Sequence, residues 1–337
     1  MKIAVVGAGA IGGILAVRLA SSGQEVTAID QGAQLAAIRS KGLTLIHPDG
    51  TEEAEYGLHA VGSCAEAGPQ DIVFLSVKAY QIEALAPQMR SLFHDNTMLV
   101  TTQNGLPWWY FQNLNGPYRN HRLKSADPAG IIEAHIETRR ILGCVVYPAG
   151  AVVSPGVVQH LEGDRFPVGE LDGTESERVK LVSETIIAAG LKAPVLADIR
   201  SEIWLKLWGN MSFNPISALT HATLVDICQD PATRELAATM MREAQSVAEK
   251  LGVSFRVPIE KRIAGAEKVG RHKTSTLQDV EAGRAIEVGA LIGSVLELGE
   301  LTGTPTPAVR AVCALMALLA KTMQTEKARV VLQPLGA

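Results

Sequence analysis

An apolar run, Ile3-Ala4-Val5-Val6, passes directly into Gly7-Ala8-Gly9-Ala10-Ile11-Gly12, and a helical pattern from Ile14 to Leu19 follows. That order constrains the fold more than any other feature of the chain. A strand, a Gly-x-Gly-x-x-Gly turn and a helix make the first part of a βαβ unit. Glycine at position 7 permits the tight turn, at 9 it lets a pyrophosphate approach the backbone, and at 12 it lets helix and strand pack closely. The helix N-terminus then offers N–H groups and partial positive charge to phosphate. A second strand, Glu25–Ile29, ends in Asp30 at the distance expected for an acid facing a ribose. Gly7, Gly9, Ala10, Ile11, Gly12 and Asp30 are therefore candidate dinucleotide contacts. The competing reading is a glycine-rich structural turn.

Strand and helix patterns alternate through the first half. Residues 2–6 and 25–29 are predicted strands, and 12–21 a helix. The runs 71–78 and 97–105 are nearly continuous apolar stretches, as parallel strands buried on both faces require. Residues 143–147 and 157–160 add strands at the sheet edge. The alternation implies a doubly wound sheet. Beyond residue 196 the character changes: 204–219, 233–251, 277–298 and 308–322 read as helices with little strand signal. The expected organisation is a dinucleotide-binding domain over 1–196 and an all-α domain over 197–337. The segment 113–137, with its Pro, Gly, Arg and His residues, reads as a polar excursion: a lid, a partner contact or a solvated loop.

A chain of 337 residues accommodates two cores. A net charge of -4 without a basic run speaks against nucleic acid. Cys64, Cys144, Cys228 and Cys313 form no Cys-x-x-Cys pair and the histidines no His-x-x-x-His pair, so neither a disulfide framework nor a metal site is expected. The first strand begins at residue 2, which leaves no room for a signal peptide, and the apolar stretch 311–320 is too short to span a bilayer. A cytoplasmic protein without a membrane segment is expected.

Three groups of residues could carry chemistry. Lys78 and Asn104 follow strand patterns, where parallel sheets bind ligands, although ordinary strand ends also carry polar residues. Lys206, Asn210 and Asn214 recur every four residues, so they share one helical face beside Trp204, Leu207, Trp208 and Met211. Pro215 should bend or end that helix. A solvent-facing stripe with a snorkelling lysine is the plainer reading. Ser275 or Thr276 with Asp279 resembles a helix start, and Glu287 lies about two turns further on.

Together these pieces resemble the ketopantoate reductase family, the 2-dehydropantoate 2-reductases, nearly end to end. The matching stretches are Gly7-x-Gly9-x-x-Gly12, Val77-Lys78-Ala79, Gln103-Asn104-Gly105, Glu202-x-Trp204-x-Lys206-Leu207-x-x-Asn210-x-x-x-Asn214, and Ser275-x-x-x-Asp279 followed by Glu287. The resemblance implies a Rossmann-type sheet domain joined to a C-terminal all-α domain, as in 6-phosphogluconate dehydrogenase-like folds. It implies NAD(P)H-dependent reduction of 2-dehydropantoate to pantoate, a step toward pantothenate. It further implies that Lys206 is the general acid, that Glu287 binds the substrate hydroxyl, and that Asn210, Asn214 and Ser275 hold the substrate carboxylate and hydroxyls. Asn104 would sit beside nicotinamide and substrate, and Lys78 at the cofactor. Such chemistry is sound: hydride delivery leaves charge on the ketone oxygen, which an ammonium stabilises and then protonates.

Two departures stand out. Family members using NADPH place an arginine after strand two, whereas this chain has Asp30-Gln31. An acid there accepts from a free ribose 2′-hydroxyl and repels a phosphate, so NADH is favoured over the family's default NADPH, unless Arg39 or Lys41 takes the phosphate. The 113–137 excursion looks longer than the family's usual connection and bears on substrate size. The alternatives are a paralogous 2-hydroxy acid dehydrogenase for another branched or aromatic 2-oxo acid, and a catalytically silent nucleotide-binding regulator. The expected partners are a small 2-oxo acid and a second copy of the chain, as a homodimer.

Overall fold

A computed structural model of the chain describes residues 1–333 and 335; the last positions of the expected second domain, 334, 336 and 337, lie outside the described residues. The chain folds as two units. One holds residues 1–103, 108–122 and 127–199, and the other 104–107, 123–126 and 200–337.

The first unit alternates strands and helices: β1 (Lys2–Val6), α1 (Ala10–Ser21), β2 (Glu25–Ile29), α2 (Gly32–Lys41), β3 (Leu43–Ile46), β4 (Glu52–Glu55), β5 (His59–Val61), α3 (Cys64–Ala67), β6 (Gln70–Leu75) and α4 (Ile82–Leu85). It continues with β7 (Phe93–Thr101), α5 (Ile131–His135), β8 (Ile141–Cys144), β9 (Ala149–Ser154), β10 (Val157–Glu162), β11 (Val168–Gly169) and α6 (Glu177–Ala188). The main sheet runs β11-β8-β7-β6-β1-β2-β5. Its pairs are parallel except for β11 against β8. Successive strands depart to opposite sides of β1, so the topological switch lies between β1 and β6. Ile3, Val5, Ile14, Leu15, Phe74 and Val100 are fully buried, the double-sided core that such strands require.

Residues 157–160 do not join that sheet, contrary to expectation. β10 lies inside a separate sheet of order β4-β3-β10-β9, parallel to β3 and antiparallel to β9. Packing explains the placement. Val158 sits against α1 at Gly13, where a Cβ would come 2.6 Å from Val158 Cγ2. The 113–137 excursion is partly built. Asp127 caps α5 by accepting from the backbone of Ile132 and Glu133 at 3.2 and 3.0 Å.

The second unit contains α7 (Ile199–Thr220), α8 (Leu224–Gln229), α9 (Pro231–Lys250), α10 (Ile259–Lys268), α11 (Ser275–Ala282), a π-helical turn (Gly289–Gly293), α12 (Ser294–Leu301) and α13 (Pro307–Glu326). The helix read over 204–219 is present, but the end that Pro215 offered is not taken, and one further expectation fails. α7 runs through Pro215 to Thr220. Proline removes one intrahelical bond, but Met211, Phe213, Ile216 and Ala218 are buried, and their packing holds the turn helical. The single helix expected over 277–298 is broken. Gly283, with φ +70°, ends α11 in the left-handed conformation, and helix resumes only at the π turn. α13 is long and apolar enough, by length and composition alone, to cross a membrane. That length exceeds the ten-residue run read from the sequence.

Candidate active site

In the first unit, Val6 pairs with both Ile29 and Leu75, and Leu75 with Thr101, so four strands end level. Their continuations carry Gly7, Asp30 and Ser76 to Lys78 to one end of the sheet. Gly7 adopts φ +90°, and a Cβ on it would lie 2.8 Å from Val77 Cγ1; a Cβ on Gly12 would collide with the Gly7 carbonyl. Gly9 differs: a Cβ there would meet nothing within 4 Å. It is the N-cap of α1, and no side chain caps that helix. The N–H groups of Ala10, Ile11 and Gly12 begin a helix and have no intrahelical acceptor. This open, uncapped terminus fits a pyrophosphate.

Asp30 has a structural task that sequence reasoning missed. Its Oδ2 accepts from Ala8 N and its Oδ1 from Gln31 N, both at 2.7 Å, so the carboxylate clasps the glycine turn. Each oxygen keeps acceptor capacity for a ribose hydroxyl. Burial pushes the Asp30 carboxyl above its usual range, against the opposing pull of the Gln31 and Ala8 N–H groups. Gln34 completes the clasp: its Nε2 donates to Ala8 O at 2.7 Å. Lys78 stands at the start of a 3₁₀ turn, its N–H donating to Gln81 Oε1 at 2.9 Å.

The second unit gathers most of the remaining candidates. Lys206 Nζ donates to Asn104 Oδ1 at 2.5 Å. One turn on, Asn210 is half-buried, and its side chain makes no hydrogen bond among the described residues. A further turn on, the buried Asn214 donates from Nδ2 to Ser275 Oγ at 3.4 Å. Ser275 does not cap α11, as the sequence suggested. Thr274 does, accepting from Leu277 N at 3.2 Å. That leaves the Ser275 hydroxyl in the first helical turn, where it meets Asn214. Glu287 is buried just before the π turn.

Asn104 is fixed by its neighbours. Leu106 N donates to Ala290 O at 3.0 Å, and Gly105, at φ +88°, lies so close that a Cβ would strike the Ala290 carbonyl. The same unit holds further charges, whose arginine partners the sequence reading did not identify. Glu202, one turn before Lys206, is buried and pairs with Arg256 at 2.5 Å. The Arg262 guanidinium rests on the helix backbone at Gly209, where any Cβ would collide with it. Arg284 pairs with buried Asp279 at 2.7 Å. No spacing rule links these partners along the chain. Only Gly209, a helix-weakening residue inside α7, hinted that something approaches there.

A glycine turn opening a helix in one unit, and in the other an ammonium held by an amide together with an amide–hydroxyl pair further along the same helix, fit a nucleotide-dependent oxidoreductase. The family model described as ketopantoate reductase PanE/ApbA matches residues 3–173, and its C-terminal counterpart residues 198–320. The chain belongs to the ketopantoate reductase family. It is 51% identical over 321 residues to the 2-dehydropantoate 2-reductase of Mesorhizobium japonicum, covering 95% of this chain and 98% of that one. A solved structure of a protein from Ralstonia solanacearum MolK2 superposes with TM-score 0.90 at 38% identity, covering 96% and 98% of the two chains. The ternary structure of a D-mandelate dehydrogenase with NADH and anilino(oxo)acetate shares the fold, with TM-score 0.82 at 22% identity and coverage of 96% and 100%.

Proposed function

We propose that this protein reduces 2-dehydropantoate to pantoate with a reduced nicotinamide dinucleotide. The observation that carries the reading is the hydrogen bond from Lys206 to Asn104, in the same unit as the Asn214–Ser275 pair. The identity to the Mesorhizobium japonicum 2-dehydropantoate 2-reductase supports the substrate. When bound, the nicotinamide supplies a hydride to the ketone carbon. Lys206 holds a proton at Nζ, stabilises the charge that develops on the ketone oxygen and then gives that oxygen the proton. Asn104 accepts from the ammonium and so orients it. Asn210, Asn214 and Ser275 offer neutral donors to the substrate carboxylate and hydroxyls, and Glu287 accepts from a substrate hydroxyl. Gly7, Gly9, Ala10, Ile11 and Gly12 would hold the pyrophosphate, with Lys78 at the cofactor.

NADH is the preferred cofactor in this reading, because the Asp30 carboxylate would accept from a 2′-hydroxyl and repel a 2′-phosphate. Family membership and this chemistry are consistent with a cytoplasmic enzyme. A homodimer belongs to the same reading: α13 exposes Leu315 and Leu318, and light scattering should return about twice the 35.8 kDa chain mass. The deciding experiment assays a panel of 2-oxo acids with NADH and NADPH at 340 nm. Turnover of 2-dehydropantoate well above the other acids supports the reading. Preferred turnover of an aromatic or another branched 2-oxo acid would replace it with a 2-hydroxy acid dehydrogenase, and no turnover at all with a silent nucleotide binder.

A further inference from the structure

Glu297 lies on α12, outside every residue group considered so far. Its Oε1 accepts from Lys124 N at 2.8 Å and its Oε2 from Ser125 N at 2.7 Å. Both oxygens of one carboxylate thus grip consecutive backbone amides of the 123–126 segment, a charge-assisted and geometrically specific pairing. The carbonyl of the gripped residue is pressed on the π turn. A Cβ on Gly289 would come 2.7 Å from Ser125 O. The next residue, Ala290, accepts from Leu106 N at 3.0 Å and abuts Gly105. Asn104, which takes the hydrogen bond from Lys206, precedes Gly105 directly. Glu287 precedes Gly289 by two residues.

The π turn is therefore held from two sides by segments remote in sequence. A π turn is a rare and poorly self-stabilised form, and its geometry here depends on what packs against it. At Gly289 and Gly105 the contacts are backbone against backbone, with no side chain to absorb a displacement. A shift of the 123–126 segment would be passed through Gly289 and Ala290 to Glu287 and Asn104.

We propose that Glu297 is a positioning residue for the reaction: by clamping Lys124–Ser125 onto the π turn, it sets Glu287 and Asn104 relative to Lys206. The proposal rests on the roles assigned above to Lys206, Asn104 and Glu287. It gives part of the 113–137 excursion a task, as a brace rather than a lid.

The test uses the full chain with Glu297→Ala, the isosteric Glu297→Gln, which keeps one acceptor, and Gly289→Ala, which pushes the segment away from the other side. In Glu297→Ala and Gly289→Ala, KM for 2-dehydropantoate should rise and kcat fall, for a combined loss of about tenfold or more in kcat/KM. The KM for the nicotinamide cofactor should stay within about twofold, and the alkaline limb of kcat should move as Asn104 loosens its hold on the ammonium. Glu297→Gln should recover part of the loss. A lowered melting temperature with unchanged kinetic constants and pH profile in the folded variants would overturn the proposal. So would a loss shared equally by cofactor and oxo acid. Lys206→Met in the same assay separates the two claims. If it retains turnover, the assignment of the acid fails; if it abolishes turnover while the Glu297 variants behave as wild type, only the positioning role fails.

Discussion

Lys206 and Asn104 stand 102 positions apart in the chain and meet at 2.5 Å, ammonium to amide oxygen. An amide oxygen is a neutral acceptor. It orients the ammonium without adding a charge of its own at that contact.

Lys206→Met should lower kcat for oxo-acid reduction by about 10²- to 10⁴-fold, the usual range for removing a general acid. Dinucleotide affinity, measured by fluorescence titration of the reduced cofactor, should be nearly unchanged, because the glycine turn belongs to the other unit. An equal loss in both would mean that the lysine shapes the fold instead.

Asp30→Asn should move the NADH to NADPH ratio of kcat/KM toward NADPH by roughly tenfold or more, since one charge repulsion at about 4 Å is worth about 1 kcal/mol in water and about 4 kcal/mol near a protein surface. Asparagine keeps one of the two acceptors that Ala8 N and Gln31 N use, so the turn is disturbed less than by alanine. Parallel rate measurements with both cofactors check this, and an unchanged ratio would remove Asp30 from cofactor choice.

Arg256→Ala should destabilise the protein by about 1–3 kcal/mol, read from urea unfolding. The Glu202 side chain is 1% exposed and loses a cationic partner, whereas the arginine, 56% exposed, is readily hydrated. Replacing Glu202 by glutamine together with Arg256 by alanine should recover part of the loss, since the buried carboxylate charge is then removed along with its arginine.

Burial, reinforced by Glu267, pushes the Cys228 thiol up to about 11, against the opposing pull of Arg234 and Arg262. At pH 8 its thiolate population is then about a hundredfold below that of an ordinary thiol, and the thiolate is the reactive form. Native protein should resist iodoacetamide at Cys228, and unfolded protein should react, as peptide mass spectrometry would show. The sign for stability follows. The unfolded chain ionises first, so this residue's contribution is present below pH 9.0 and is lost as pH rises toward about 11.

Local chemistry made much of this molecule readable. The glycine turn, the buried strands and the Lys206 stripe rest on periodicity and on residues with few conformational alternatives. Errors arose where distant packing decided. Pro215 ought to end a helix, but buried neighbours on both sides carry α7 past it. Gly283 could be tolerated in a helix or could end one, and only its left-handed conformation shows which occurs. Val158 has the pattern of a strand in any sheet, and its contact with Gly13 assigns it to the smaller one. Thr274 displaced Ser275 as cap by a single position, within the ordinary uncertainty of helix ends. The Asn104 and Ser275 partners of the α7 stripe come from remote chain, which no window along the sequence can pair.

The helical unit is assembled partly from chain that precedes it, since residues 104–107 and 123–126 belong with 200–337. Anyone grafting the C-terminal half of one relative onto another must therefore transplant three stretches. A junction placed at the obvious seam near residue 200 would unite a π turn with loops evolved for a different host.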